Sequence, residues 1–233
     1  PADWEAACHQ LESQLPTLSA YQGRLAEGPQ TLLAFLDLFQ ESGALMNRIH
    51  TYAFNASSVD TGDPSSAARV GQARSLYARH AAAIAFFDPE LLAVGFEKLE
   101  AWLDATSELK FFAHYLQRLQ ARRLHIRSGE VEEVLALTSD PFSGPYSVYS
   151  MLNNADLTFQ PALDAGGNSL EVGQSSIGSL LTHPDRQVRR SAWQNYADGY
   201  LAFKNTFAAA LTSVVKQDVF TARARGYPSA LHA

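Results

Sequence analysis

Apolar residues return every three or four positions along almost the whole chain, the repeat that puts them on one face of a helix, and the reading that follows is mainly α. A first helix is expected from Asp3, as N-cap, through Leu11, Leu15 and Leu18 to about Tyr21, with Pro16 inside it and a stop near Gly23. A second begins near Pro29 and carries Leu32, Leu33, Leu36, Phe39, Met46, Ile49 and Ala53 as its buried stripe, ending before Asp60-Thr61-Gly62-Asp63-Pro64. Pro64 opens a third, with Val70, Ala73, Tyr77, Ala81 and Ile84 on one face and Arg69, Arg74 and Arg79 toward water. Asp88-Pro89-Glu90 joins a capping acid, a proline at the first helical position and a second acid, so a helix is expected over Leu91 to Leu103. Two more follow, from about Glu108 to Arg123 and from Ser128, as N-cap, to about Ser139.

After Pro141 the texture changes, and Gly144, Pro145, Asn153 and Asn154 break up a short helical piece. Leu157 and Phe159 then alternate with polar residues, as do Leu170 and Val172, on either side of Asp164-Ala165-Gly166-Gly167-Asn168. This predicts one small β-hairpin over about 156–172, which must pack on helices or on something outside the chain, because a lone hairpin is marginal in water. From His183-Pro184-Asp185 to about Arg225 the helical repeat returns, with Trp193, Tyr196, Tyr200, Phe203, Phe207, Leu211 and Val214 on one stripe. An unbroken helix of that extent would be about 60 Å long, against roughly 45 Å for the width of a compact globule of this length. Either it projects and needs a partner surface, or it breaks near Gly199 and the halves pack on each other. Tyr227 to Ala233 starts a further helix and stops after about one turn, too short to be stable alone. The expectation is a chain cut inside a larger fold, and it begins with Pro1 rather than Met.

With 233 residues, 46% of them hydrophobic, the chain can bury a real core, which excludes a disordered or collagen-like class. A net charge of -6 argues against a nucleic-acid partner, which needs a basic face. No apolar run is long enough to span a membrane, and no basic-then-apolar leader is present, so neither a membrane partner nor secretion is expected. The single cysteine, Cys8, forms no internal disulfide, and the expected location is cytoplasmic.

The search for local chemistry returns no catalytic, cofactor-binding or metal residue in this sequence. Of the seven histidines, at positions 9, 50, 80, 114, 125, 183 and 232, the nearest pair in sequence is His114 and His125. On one helix they would lie roughly 16 Å apart, beyond the reach of a single metal. There is no His-Glu-x-x-His, P-loop, G-x-S-x-G or G-x-G-x-x-G. Asn55-Ala56-Ser57 matches the glycosylation pattern by accident, since no secretory signal accompanies it. His9 and Glu12 read as a solvated i, i+3 pair, and Cys8 as a buried, inert thiol. Arg186, Arg189 and Arg190 sit where a helix dipole disfavours cations, so they read as a solvated face beside Asp185 or, less simply, as an anion site. The Trp193 to Phe207 aromatics read as core, with a peptide-lining role as the alternative.

Asn154-Ala155-Asp156-Leu157-Thr158-Phe159, the glycine turn, Leu180-Leu181, Asp185-Arg186-Gln187-Val188-Arg189-Arg190-Ser191-Ala192 and the run from Ala222 to Leu231 together resemble oligoendopeptidase F, one of the thimet-oligopeptidase-like zinc peptidases. Phe86-Phe87-Asp88-Pro89-Glu90-Leu91-Leu92, Tyr115-Leu116-Gln117-Arg118-Leu119 and Trp4-Glu5-Ala6-Ala7 are similar as well, so the resemblance spans nearly the whole chain. It implies the N-terminal portion of a longer metalloendopeptidase: a multi-helix array with one small β-hairpin and a long C-terminal helix, a truncated part of a larger all-α peptidase fold. The implied regions are an N-terminal helical hairpin region over 1–106, an oligopeptidase F-type helical region with the hairpin over 107–182, and the start of the catalytic domain over 183–233.

In this family two histidines of His-Glu-x-x-His and a later glutamate hold one zinc ion, and the motif glutamate is the general base for the zinc-bound water. None of those positions exists here, so no catalytic or metal residue carries over and zinc is implied only for the parent protein. The implied partners are oligopeptide substrates and a missing C-terminal catalytic half. The implied role is to form the wall of a channel that admits short peptides, in a segment inactive alone. The competing expectation, from the residues alone, is a non-enzymatic helical scaffold that binds a protein partner through its aromatic stripe.

Overall fold

The computed structural model describes residues 2–233, which are mainly α with a single antiparallel two-strand hairpin among the described residues. They form two compact units: one runs up to Gly144 and takes in Gln217–Ala233, and the other is Pro145–Lys216. Packing therefore groups the residues on either side of position 106 together, since Leu109, Phe112, Leu116 and Leu119 lie in the same core as the N-terminal helices.

The first unit opens with α1 (Ala2–Ser19), α2 (Pro29–Val59) and α3 (Pro64–Ala83). In α1, Trp4, Cys8, Leu11, Leu15 and Leu18 face inward at alternating spacings of four and three. Pro16 stays within the helix because it lies on the exposed side, where water can take the carbonyl that its missing N–H leaves free. The Trp4 indole N–H donates to Ile49 O at 3.0 Å, fastening α1 to α2. Phe35 of α2 lies at the centre of an aromatic cluster, with Tyr21, Phe39, Phe86 and Phe87 around it at 4.9–5.9 Å between ring centres. Asp63 caps α3, its carboxylate accepting from Ser65 N at 3.1 Å and Ser66 N at 3.0 Å. Tyr77, expected inside, is 50% exposed, and Leu76, Ala78 and His80 are buried instead. The reason is that α3 is packed on more than one side, by α1 and α2 and by elements further along the chain, so its buried set is wider than one stripe.

The helix expected over Leu91 to Leu103 is two: α4 (Phe87–Val94) and α5 (Phe96–Ala105). Gly95 separates them with φ +88° and ψ 144°, a conformation that a side chain with a Cβ strongly disfavours. Asp88 lies inside α4 and is not its cap; its carboxylate accepts from the Tyr115 hydroxyl and from Arg122 Nη2 at 2.8 Å. The expected helix from Glu108 to Arg123 begins as a 3₁₀ stretch, Ser107–Phe112, and becomes α6 (Ala113–Arg122). Then come α7 (Gly129–Leu137) and α8 (Ser139–Phe142). Ser128 precedes α7, but its hydroxyl makes no capping bond; the Glu132 carboxylate accepts from Arg127 N at 2.9 Å.

The second unit holds α9 (Gly144–Met151), a π-helical turn at Leu152–Asp156, β1 (Ala162–Leu163), β2 (Ser169–Leu170), α10 (Ile177–Leu181) and α11 (Arg186–Ala202). The strands are shorter than the alternating stretches 157–160 and 169–172 led one to expect, with Ala162 opposite Leu170 and Leu163 opposite Ser169. Pro161, next along the strand, turns its backbone to the outer edge of the hairpin, where its carbonyl takes a side-chain donor and its missing N–H removes no bond to β2. The turn is held by Asp164, whose Oδ1 accepts from Gly166 N at 2.8 Å and Asn168 N at 2.7 Å. A small core of Ala162, Val172, Leu180, Val188 and Ala192 closes the unit.

The long helical pattern is interrupted once, at Phe203 and not at Gly199, giving α11 and α12 (Lys204–Arg225). Phe203 N–H bonds Tyr200 O at 3.1 Å, a 3₁₀ step, and Phe207 N–H returns to Phe203 O at 3.0 Å. The last turn of α12 is clamped in the first unit. Arg225 makes a two-pronged bond to Glu132 at 2.8 Å on each oxygen, Arg127 Nε donates to Ala224 O at 2.7 Å, and His125 Nδ1 donates to Arg225 O at 3.1 Å. The His125 ring stacks on Tyr227 with centres 3.6 Å apart. Beyond it only a single 3₁₀ turn, Ala230–His232, completes the described residues.

Candidate functional site

Within the second unit, α11 offers side chains to the free edge of the hairpin. Leu163 N donates to Ser191 Oγ at 2.9 Å and Ser191 Oγ donates back to Leu163 O at 3.1 Å. Asn195 Nδ2 donates to Pro161 O at 2.8 Å, and Asp185 accepts from Ala165 N at 2.9 Å. Backbone groups of residues 161, 163 and 165 are thus met by a helix face, while Asp164 N pairs inward with Asn168 O at 3.1 Å. An edge that would otherwise be unpaired is satisfied by Asp, Ser and Asn spaced along one helix, and this steadies a hairpin of two residues per strand.

The same register lays Phe159 on α11. Its ring covers Gly199 so closely that a Cβ there would come within 2.6 Å of Phe159 Cδ1. The ring also stacks on Tyr196, with centres 4.8 Å apart at 17°. From Phe159 a continuous aromatic ladder runs through Tyr196, Tyr200, Phe207, Tyr149 and Tyr146, with successive ring centres 4.8–6.2 Å apart. Tyr200 donates its hydroxyl proton to Asn153 Oδ1 at 3.2 Å, and Gln174 Nε2 holds Asn153 O at 2.8 Å. Burial, with Tyr196 against it, pushes the Tyr200 phenol up to about 12, so it stays a neutral donor.

The expected stripe is therefore divided. Tyr196, Tyr200 and Phe207 are half-buried in the ladder, whereas Trp193 is 59% and Leu211 66% exposed on this chain. The ladder presents aromatic faces, phenol hydroxyls and amides but no activated nucleophile or general base. It can hold apolar side chains and main-chain groups of an extended chain; it cannot by itself cleave a bond.

The other candidates do not converge. Cys8 is 2% exposed and burial raises its thiol, so it is not an available thiolate. His9 and Glu12 form an exposed pair at 3.6 Å. Arg186 and Arg190 are exposed, whereas Arg189 donates to His183 O at 2.6 Å and Pro184 O at 2.9 Å, tying down the turn before α11. The histidines are dispersed: His50 stacks on Phe54, His80 bonds Ser42, His125 stacks on Tyr227 and His183 Nδ1 accepts from Asp185 N. Among the described residues no group of three His, Cys, Asp or Glu could hold a metal ion. No helix among them is long and apolar enough to cross a membrane. Reading by local motif missed Asn153, Asn195, Ser191 and Gly199, whose roles depend on partners 20 to 50 residues away; the i, i+4 spacing of the last three was the only local trace.

Comparison with known proteins bears on the whole chain. The family model described as Oligopeptidase F matches residues 90–159. Oligopeptidase PepF of Bacillus subtilis (strain 168) is 32% identical over 235 residues, covering 100% of this chain and 35% of that protein. Group B oligopeptidase PepB of Streptococcus agalactiae is 27% identical, covering 97% of this chain and 38% of that protein. The crystal structure of oligoendopeptidase-F from Enterococcus faecium superposes with a TM-score of 0.93 at 28% identity, over 98% of this chain and 44% of that one. The chain thus spans between 35% and 38% of the length of these two curated relatives.

Proposed function

The chain belongs to the oligoendopeptidase F family, and on that premise we propose that it is the N-terminal, channel-forming part of a zinc-dependent endopeptidase that hydrolyses internal bonds of short peptides. The observation that carries the reading is the superposition of 98% of this chain on oligoendopeptidase-F from Enterococcus faecium. The aromatic ladder of the second unit supports a peptide-contacting role, because its rings and hydroxyls suit both the side chains and the main chain of an extended peptide. The residues described here do not fit a zinc ion, so no hydrolytic step is assigned to them. On this reading the ligands and the general base lie outside the chain, which is inactive alone, and the partners are oligopeptides and the catalytic half. The regions over 1–106, 107–182 and 183–233 keep the roles the resemblance implies, and the proposed location is cytoplasmic.

The experiment is an intact mass and zinc determination on one purified sample, with a fluorogenic oligopeptide assay in the presence and absence of a chelator. A mass near 25.5 kDa with no zinc and no cleavage is the expected result. Chelator-sensitive cleavage by that same chain would overturn the inactivity, and a gene that ends at Ala233 would overturn the larger assignment. The exposed Trp193 and Leu211 favour, as a second reading, a scaffold that binds a protein partner. A gene that reads on into His-Glu-x-x-His discards it.

A further inference from the structure

Helix α11 has two opposite faces. Toward the hairpin it turns Val188, Ala192, Asn195 and Gly199, which are buried or meet the hairpin segment. On the far side a line of residues runs at spacings of three and four from Arg186 through Trp193 and Ala197 to Leu201. The same spacing continues in α12, past the interruption at Phe203, from Lys204 through Leu211 to Val215. The line is uncovered: Trp193 is 59%, Leu201 58%, Leu211 66% and Val215 51% exposed. Arg186, Arg190 and Lys204 lie on it too, all exposed and none in an ion pair among the described residues. No acid shares the line, and Asp198 falls about 100° away from it around the helix.

The charges choose the occupant. A lipid surface would draw Arg190 and Lys204 in with the apolar residues, because they lie on the line and not at its flanks. A second copy would bring the same cations to the same place, with no acid to neutralise them. A helix with aliphatic residues opposite Trp193, Leu201 and Leu211 and carboxylates opposite the cations satisfies both. The chain covers 35% of the Bacillus subtilis relative and 44% of the Enterococcus faecium structure, so more than half of each lies outside the match. A helix from that remainder docks within one molecule, at high effective concentration. We infer that this line is the surface on which an acidic amphipathic helix of about six turns, from the part of the parent peptidase beyond this chain, packs against α11 and α12. The inference rests on the reading of a longer parent given above.

The test compares the full-length product of the gene with the 233-residue chain by hydroxyl-radical footprinting, and cross-links the full-length protein with a zero-length carbodiimide. Trp193 and Leu211 are expected to oxidise roughly tenfold more slowly in the full-length protein, as side chains at the centre of an interface do. Lys204 is expected to link to an Asp or Glu beyond position 233. Leu211→Glu should lower the thermal midpoint of the full-length protein by several degrees and leave that of the 233-residue chain unchanged, since there the side chain faces water. Equal oxidation of Trp193 and Leu211 in the two proteins, Lys204 links confined to residues 1–233, protection lost on dilution to monomer, or protection gained only with anionic phospholipid vesicles would each overturn the inference. Zinc-dependent cleavage of oligopeptides by the same full-length sample separates the two readings, because it upholds the peptidase assignment whichever way this surface behaves.

Discussion

At the scale of the residue, the sharpest constraint in the second unit is a missing Cβ. Gly199 carries the face of Phe159, and a methyl group placed there would come within 2.6 Å of the ring. Gly199→Ala should cost about 1–3 kcal/mol by overpacking, measured by denaturant unfolding, with loss of the Phe159 to Tyr196 stack as the structural sign. His80 sets a pH dependence of definite sign. Burial lowers its folded pKa below 6.5, so its contribution is present above that pH and is lost as the pH falls through the folded value. His50, lowered by burial and by Arg74, acts in the same direction. The thermal midpoint is expected to fall between neutral and mildly acidic pH, and His80→Gln should flatten part of that fall. A local reading placed Cys8 as a buried thiol and His9 with Glu12 as a solvated pair; Cys8 is 2% exposed, and His9 lies at the surface 3.6 Å from Glu12. Gly199 was legible only as a place for the long helix to break, because the ring that needs it comes from a residue forty positions earlier.

At the scale of the element, the long N-terminal helices α1 and α2, which bury one regular apolar stripe each, matched their sequence pattern best. The i, i+3/i+4 spacing in α1 and the Pro29 to Val59 extent of α2 follow from apolar repeat and proline placement alone. Elements whose ends depend on a neighbour did not. Asp88 reads as a cap but bonds Tyr115 and Arg122 across to α6, and α4 ends at Gly95, where backbone geometry overrides a continuous repeat. Glu132 lies in the first turn of α7, yet its carboxylate receives Arg225 from the end of α12. Glu132→Gln should cost about 1–2 kcal/mol, since the pair is only partly shielded from water. The diagnostic outcome is faster hydrogen exchange over 222–232, with the exchange of α2 unchanged.

At the scale of the whole molecule, the two units differ in how much each can bury. The first gathers more than twenty inward side chains around Phe35, Leu36, Leu99 and Leu109. The second rests on five, with the helix-satisfied hairpin edge as its polar complement. Native-state hydrogen exchange should therefore show the amides of α11 and the hairpin opening at lower free energy than those of α2, and similar protection in both would contradict the difference in core size. For a chain proposed to line a peptide channel, the unit that carries the aromatic ladder is then also the more easily opened.

What the order of amino acids determined by itself was the helical class, the positions of most helices, the single turn at Asp164 to Asn168, and the family to which Asn154 to Leu231 points. These depend on near neighbours: repeat spacing, proline and glycine placement, and short capping bonds act over a few residues. What only the tertiary structure decided was which groups meet: Ser191 and Asn195 with the hairpin edge, Arg225 with Glu132, Phe159 with Gly199, and Ser42 with His80. Those pairings join residues 28 to 93 positions apart. A one-dimensional repeat holds no record of them, because they are chosen by the packing of whole helices, which brings together side chains that local periodicity leaves equivalent.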